Sequence, residues 1–243
     1  MRWNTHRRIT LEVCRYYGLQ NAREIAEASI LPDKQPDYYW VYRRRRARRR
    51  RVPHHDAYAV DFAFKYLKEA RKAYLKGFSF EGPLGRALHY IQDFVVDPTS
   101  KLWIFSYRSD EAHKDREDGL EKYPVPEEQI RLAEERTCYP HDFKTTVFSF
   151  GRRKEPGEIM ELATYLTSLA IKLVVKPDKP PNLTEEYRKN LRLHVALILL
   201  PWVLPLIVAD VSAAVFSALA SLAIHKLNFR YWRWKTDYEW FNG

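Results

Sequence analysis

DAYAVDFAFKYLKEARKAYLK, residues Asp56 to Lys76, sets apolar side chains three or four positions apart along its whole length. Ala59, Val60, Ala63, Phe64, Leu67, Ala70, Tyr74 and Leu75 fall on one side of a helix with about 3.6 residues per turn. Asp56 stands where a carboxylate can accept hydrogen bonds from the first turn, so it reads as the cap. The same spacing recurs on either side. Ile9, Val13 and Tyr16-Tyr17 mark a helix that stops at Gly18. Leu84 to Val96 marks another, with Pro83 in its first turn and its end before Asp97-Pro98. Asp110 opens a further helix to about Lys122, and Glu158 to Val175 forms the next. No alternating strand pair stands out. The expected fold class is all-α: a multi-helix domain over 1–176, a Pro-rich linker over 177–187, an apolar helical segment or hairpin over 188–228, and an aromatic, basic tail over 229–243.

The apolar segment is the sharpest contrast in the chain. Leu193 to Ile224 carries one formal charge, Asp210. A spanning helix needs roughly 20 apolar residues, and Asp210, Pro201 and Pro205 interrupt the run. Arg188, Lys189 and Arg192 precede it; Lys226, Arg230, Arg233 and Lys235 follow. Basic residues at both ends place both on the cytoplasmic side, which suits a shallow or tightly turned hairpin. Tyr231, Trp232, Trp234, Tyr238 and Trp240 suit a membrane interface, as do His194 and His225 beside the run. The catalytic domain is accordingly expected to be membrane-associated and cytoplasmic.

Charge is equally uneven. The 243 residues include 41 Lys and Arg against 31 Asp and Glu, a net charge of +10. Arg43 to Arg51 is arginine throughout except at Ala47; outside it the chain is near neutral. That excludes a protein coated in basic charge for long nucleic acid backbones. The tract reads either as a solvated loop or as a local device for phosphate groups. Beside anionic lipid each residue gains about 1 kcal/mol. With Tyr38, Tyr39, Trp40 and Tyr42 available for stacking, the tract can also draw in a nucleic acid strand. Two cysteines, Cys14 and Cys138, make neither a disulfide framework nor a four-thiolate zinc site. Met1 to Arg8 has no apolar core after its basic residues, so no secretory signal is expected.

Two pairs carry chemistry. His89 and Asp93, and then His113 and Glu117, stand four residues apart on helices, so each pair shares a face. An imidazole nitrogen and a carboxylate oxygen so placed can bind one zinc at about 2.0–2.2 Å each. His6, Asp33 and His54-His55 lie upstream. His141, beside Asp142, reads as part of a loop.

Taken in order, Trp3 with His6, Pro32-Asp33, a histidine before the long helix, Leu-His89-Tyr-Ile-Gln-Asp93 and His113-x-x-x-Glu117 resemble the zinc-dependent phospholipase C family. More distantly they resemble the related zinc-dependent single-strand-specific fungal nucleases. The resemblance covers Trp3 to Tyr123 and implies a helical fold around two or three zinc ions that hydrolyse phosphate diesters. It implies one zinc on Asp33, His54 or His55, His89 and Asp93. A second would share Asp93 with His6 and with the backbone of an N-terminal Trp. A third would take His113, Glu117 and one more His. The chain departs from the pattern twice: Trp3 follows Met1 and Arg2, and Thr99 stands where the last His is expected, with Asp97 close enough to substitute. Asp33 or Glu117 would orient the attacking water. The expected activity is hydrolysis of phospholipid headgroups. The alternatives are a nuclease or nucleotidase on single strands, and a non-catalytic membrane protein with a degraded site.

Overall fold

The computed structural model describes every residue except 44, 45, 103, 104 and 209, and the backbone alone of 43, 100–102, 105–108, 110, 112, 113, 206 and 208. The chain forms two compact units. The first is Met1–Cys138 with Asp142–Asp178; the second is Tyr139–His141 with Lys179–Gly243.

The first unit is built from α1 (Trp3–Tyr16), α2 (Ala22–Ala28), α3 (Leu31–Lys34), α4 (Ala57–Leu75), α5 (Glu81–Val95), α6 (Asp110–Gly119), α7 (Glu127–Glu135), α8 (Phe143–Phe150) and α9 (Pro156–Val175). The centre is α9, buried from Ile159 to Val174 except at Glu161, with α1, α4, α5 and α7 packed around it. Its one buried cation, Lys172, donates to the carbonyls of Glu134 and Arg136 at 2.7 and 2.9 Å and to Asp178 at 2.8 Å. Each ammonium hydrogen so finds an acceptor, which is the condition for burying a charge. Asp56 caps α4 as its position implies, accepting from Tyr58 N–H at 2.8 Å. Gly18 ends the α1 region with φ +67°.

Where α5 crosses α2, Gly85 leaves room for the other backbone. A Cβ there would sit 2.4 Å from the Ala28 Cβ and 2.7 Å from the Ile25 carbonyl oxygen. This close approach sets the carbonyl of Ser29, just past α2, over the middle of α5.

The architecture is all-helical, as the periodicity indicates, with two small additions. An antiparallel ribbon pairs β1 (Tyr38–Arg43) with β2 (Arg46–Arg51), matching Tyr38 to Arg51 and Trp40 to Arg49. A second pairs β3 (Thr99–Leu102) with β4 (Phe105–Arg108). Arg46–Arg51 of the arginine tract thus form one strand of a ribbon. All of β2 is exposed, so no apolar alternation marks it in the sequence. The ribbon closes at its base, where Val52 N–H donates to the Asp37 carbonyl at 2.9 Å. The Asp37 carboxylate is gripped by Tyr66 at 2.6 Å, Tyr90 at 2.9 Å and Arg86 at 3.2 Å, side chains of α4 and α5.

The second unit holds α10 (Leu183–Leu199), α11 (Val203–Val208), α12 (Val211–Leu227) and α13 (Phe229–Asn242), with a tighter turn at 200–202. α10 begins inside the segment read as linker, and the aromatic tail is helix. α12 runs back along α10: Ser217 reaches Pro201, Ser221 reaches Ile198 and His225 reaches His194. α13 then returns beside α10, with Tyr238 stacked on Tyr187 at 4.2 Å and Tyr231 on His194 at 3.8 Å. His141 is pinned by Asp237, with Nδ1 and Oδ2 2.5 Å apart. No described helix alone is long and apolar enough to cross a membrane; α12 and α13, meeting at 55°, meet those criteria as a bent pair.

Candidate metal centre

Four segments of the first unit converge on Asp93. α1 brings His6, the short α3 brings Asp33, the strand exit before α4 brings His54 and His55, and α5 brings His89 and Asp93. Asp93 is buried, and its two carboxylate oxygens divide the histidines. Oδ1 faces His6 Nε2 at 3.2 Å, and Oδ2 faces His54 Nδ1 at 2.8 Å and His89 Nε2 at 3.2 Å. Asp33 Oδ1 lies 3.8 Å from both His54 Nδ1 and His89 Nε2.

The surrounding shell fixes which nitrogen of each ring points inward. His89 Nδ1 donates to the Ser29 carbonyl at 2.8 Å, leaving the Nε2 lone pair toward Asp93. His6 Nδ1 donates to Gln92 Oε1 at 2.6 Å. That amide is oriented in turn, its NH₂ donating to Thr10 and Thr167 hydroxyls at 3.1 Å each. Burial lowers the pKa of His89, against the pull of Asp93 and with the push of His6. A neutral His89 with Nδ1 committed sets a lone pair against a carboxylate oxygen. Such acceptor-to-acceptor approaches are repulsive until a proton or a cation lies between them. Nε2 of His6 and of His54 are buried without a hydrogen-bond partner among the described residues.

These residues fit a metal ion. Two groups offer ligand atoms within 4.8 Å of one another: His54, His89 and Asp93, and His6, Asp33 and His89. The second differs from the set the resemblance implies, since His6 joins Asp33 and His89 there. The adjacent histidines face different atoms of Asp93. His54 faces the Asp93 carboxylate, whereas His55 Nδ1 donates to the Asp93 main-chain carbonyl at 2.7 Å.

The amino group that reaches the carboxylates belongs to Met1, whereas the Trp3 indole donates to Asp33 Oδ2 at 3.0 Å. The Met1 ammonium is buried and paired with Asp93 and with Glu117, whose Oε1 is 2.7 Å away. Burial alone would lower its pKa; the two carboxylates outweigh that and raise it from 8.0 to about 10. Burial likewise works against ionised Asp93, yet that ammonium, helped by the His54 hydrogen bond, holds its pKa well below the usual carboxylate range.

Asp97 does not join the cluster. It follows the end of α5, its Oδ1 accepts from Thr99 N–H at 2.8 Å, and Lys154 lies 3.6 Å from its Oδ2. The side chain of His113 lies outside the described residues. Gln92, Ser29, Thr10 and Thr167 were not singled out by spacing, although Thr10 stands one turn after His6. An open cleft of about 380 Å³ lies against the cluster, lined by Asp33, Arg51, Val52, His54 and His55 among others. Arg51 stands 3.5 Å from Asp33 Oδ1. Comparison of the chain with family models, curated proteins and solved structures finds no match.

Proposed function

We propose that the first unit is a zinc-dependent phosphoric diester hydrolase of phospholipase C type, acting on phospholipid headgroups. The observation that carries this reading is the inward-facing set His6, Asp33, His54, His89 and Asp93, two of whose rings are held through Nδ1 with Nε2 toward carboxylate oxygens. His6, Asp33, His54, His89 and Asp93 would hold the zinc, which would supply Lewis acidity toward a phosphoryl oxygen and lower the pKa of water toward pH ~7.

The chain's own residues do the rest. Asp33, half-buried where the cleft meets the cluster, is placed to orient the attacking water and to take its proton at a carboxylate oxygen. Glu117 holds the Met1 ammonium and through it steadies Asp93. Arg51 offers its guanidinium to the phosphate at the cleft, and the exposed arginines of β2 extend that field outward. Gln92 and Ser29 keep two imidazoles in the required tautomer, the usual task of groups behind metal ligands.

The test is a metal count joined to an assay. Protein purified without chelator should carry zinc, lose headgroup hydrolysis on chelation and regain it when zinc returns; His89→Ala should lose both metal and activity. Native protein free of bound metal would overturn the proposal.

One observation favours a second substrate class on the same centre. Tyr38, Trp40 and Tyr42 alternate on one face of β1, with Trp40 60% and Tyr42 81% exposed, and the Arg49 guanidinium lies 4.0 Å from the Tyr38 ring centre. Aromatic rings and arginines in that order can stack unpaired bases. Faster cleavage of a single-stranded oligonucleotide than of phospholipid, lost in Trp40→Ala, would select it.

A further inference from the structure

The helical hairpin of the second unit is built inside out. α12 buries Ala213, Ser217 and Ser221, the small and polar residues of one stripe. Its large apolar residues face outward: Val215 is 56% exposed, Phe216 and Leu219 each 63%, and Leu222 51%. The facing limb repeats the pattern, burying Asn190 and His194 of α10 while Leu193, Leu199, Leu200 and Val203 are exposed. In water this arrangement leaves the hydrophobic surface unburied, far beyond the scattered apolar residues any surface carries.

The seam between the limbs explains how such a hairpin survives without water. A carbonyl in a helix accepts from the N–H four residues on. For Pro201 that residue is Pro205, which has none. The Ser217 hydroxyl reaches in from α12, 2.6 Å from the Pro201 carbonyl and 2.8 Å from the Ala213 carbonyl of its own helix, with one proton shared between them. Ser221 donates at 2.7 Å to the Ile198 carbonyl, where α10 tightens into the turn at 200–202. Hydrocarbon demands this internal satisfaction of the backbone; water would supply it unaided. The open end closes on a polar chain in which Asn228 donates to His194 Nδ1 at 3.0 Å and His194 Nε2 meets His225 Nδ1 at 3.1 Å. Beside it lie Arg188, Lys189, Arg192, Lys226, Arg230 and Arg233, all exposed.

We propose that the α10–α12 hairpin is a re-entrant membrane insert that enters and leaves a bilayer on the same side, with its basic mouth on anionic headgroups and its seam turned away from lipid. Length agrees. The 17 residues of α12 rise about 25 Å, short of the roughly 30 Å hydrocarbon core. The inference stands on the second unit alone, so it survives failure of the hydrolase reading, and the hydrolase reading survives its failure.

The test uses the full chain, diluted from detergent onto phosphatidylcholine vesicles containing phosphatidylglycerol. A nitrobenzoxadiazole probe on F216C or L219C should be quenched by spin-labelled lipid and not by aqueous iodide. In R192C/K235C, an impermeant maleimide on sealed vesicles should add either two labels or none to each molecule, since Cys14 and Cys138 are buried. Single labels would mean that the hairpin crosses the bilayer. Failure to float with vesicles, with probes shielded in a soluble dimer, would make the face a protein interface. Either result overturns the proposal.

Discussion

α9 and α12 are the two most apolar long helices of the chain, and they treat their apolar residues in opposite ways. α9 buries 15 of its 20 residues and satisfies its one buried cation, Lys172, with three acceptors. α12 buries three of its 17 and turns its largest side chains outward. Hydropathy alone does not separate them. The distinction lies in the large residues: α9 buries its leucines and isoleucines along with Thr164, Thr167 and Ser168, whereas α12 buries only an alanine and two serines. A helix that hides only small residues leaves its apolar face to a partner that is not water.

An acidic residue placed on each helix breaks the comparison most directly. Leu169→Asp, at a fully buried position of α9, should unfold the first unit or cost more than about 4 kcal/mol in urea unfolding. The same change at Leu219 should preserve helix content and bound metal and abolish flotation with vesicles. Equal unfolding by both variants would mean that α12 belongs to a protein core after all.

Acidity tests the first unit alone. In chelated protein the depressed pKa of His89 contributes stability that is complete above its ordinary value of 6.5 and is lost as pH falls below it. Depressed Asp93 adds stability present above 3.8 and lost on further acidification. The Met1 ammonium works in the other direction, with stability complete below 8.0 and lost as pH rises through about 10. Thermal melts should therefore show a plateau between about 6.5 and 8.0 and fall on both sides, and acetylation of the terminal amine should remove the alkaline limb. A profile still rising above pH 9 in the unmodified protein would contradict the buried pairing.

A smaller effect is expected at the helix crossing. Gly85→Ala must push α2 away from α5, at about 1–3 kcal/mol, and with it the Ser29 carbonyl that orients His89. Metal affinity measured by competition with a chromophoric chelator should fall together with stability. The smallest change belongs to the hairpin. Ser217→Ala removes the hydroxyl that reaches the Pro201 carbonyl across the seam and should cost about 1 kcal/mol in detergent unfolding, while Ser217→Thr retains it.

Much of this was legible in the residues. Asp56 to Lys76 announces its helix and its cap because periodicity and capping are local properties. The pairing of His89 with Asp93 is legible for the same reason, being one turn of one helix. His54 and His55 were not separable, since what sets them apart is their partner on α5: one ring meets the Asp93 carboxylate and the other its main chain. Asp97 has the right chemistry, but the end of α5 at Val95 turns its carboxylate to Thr99 and Lys154. The ribbon escaped because its arginines have no inner face, and strand pairing without burial leaves no pattern in one sequence. α7 and α8 escaped because they are short, at nine and eight residues.

The clamp on Asp37 has a mechanical consequence. Two tyrosines and an arginine hold that carboxylate to α4 and α5, while its main-chain carbonyl ties down Val52, two residues before His54. The ribbon is thus a cantilever whose fulcrum lies between its arginines and the histidines. Force applied at the outer end by a bound anion is borne at Asp37 and passes into the helices. Only Arg51, 3.5 Å from Asp33, links the ribbon's inner end directly to a ligand of the cluster among the described ion pairs.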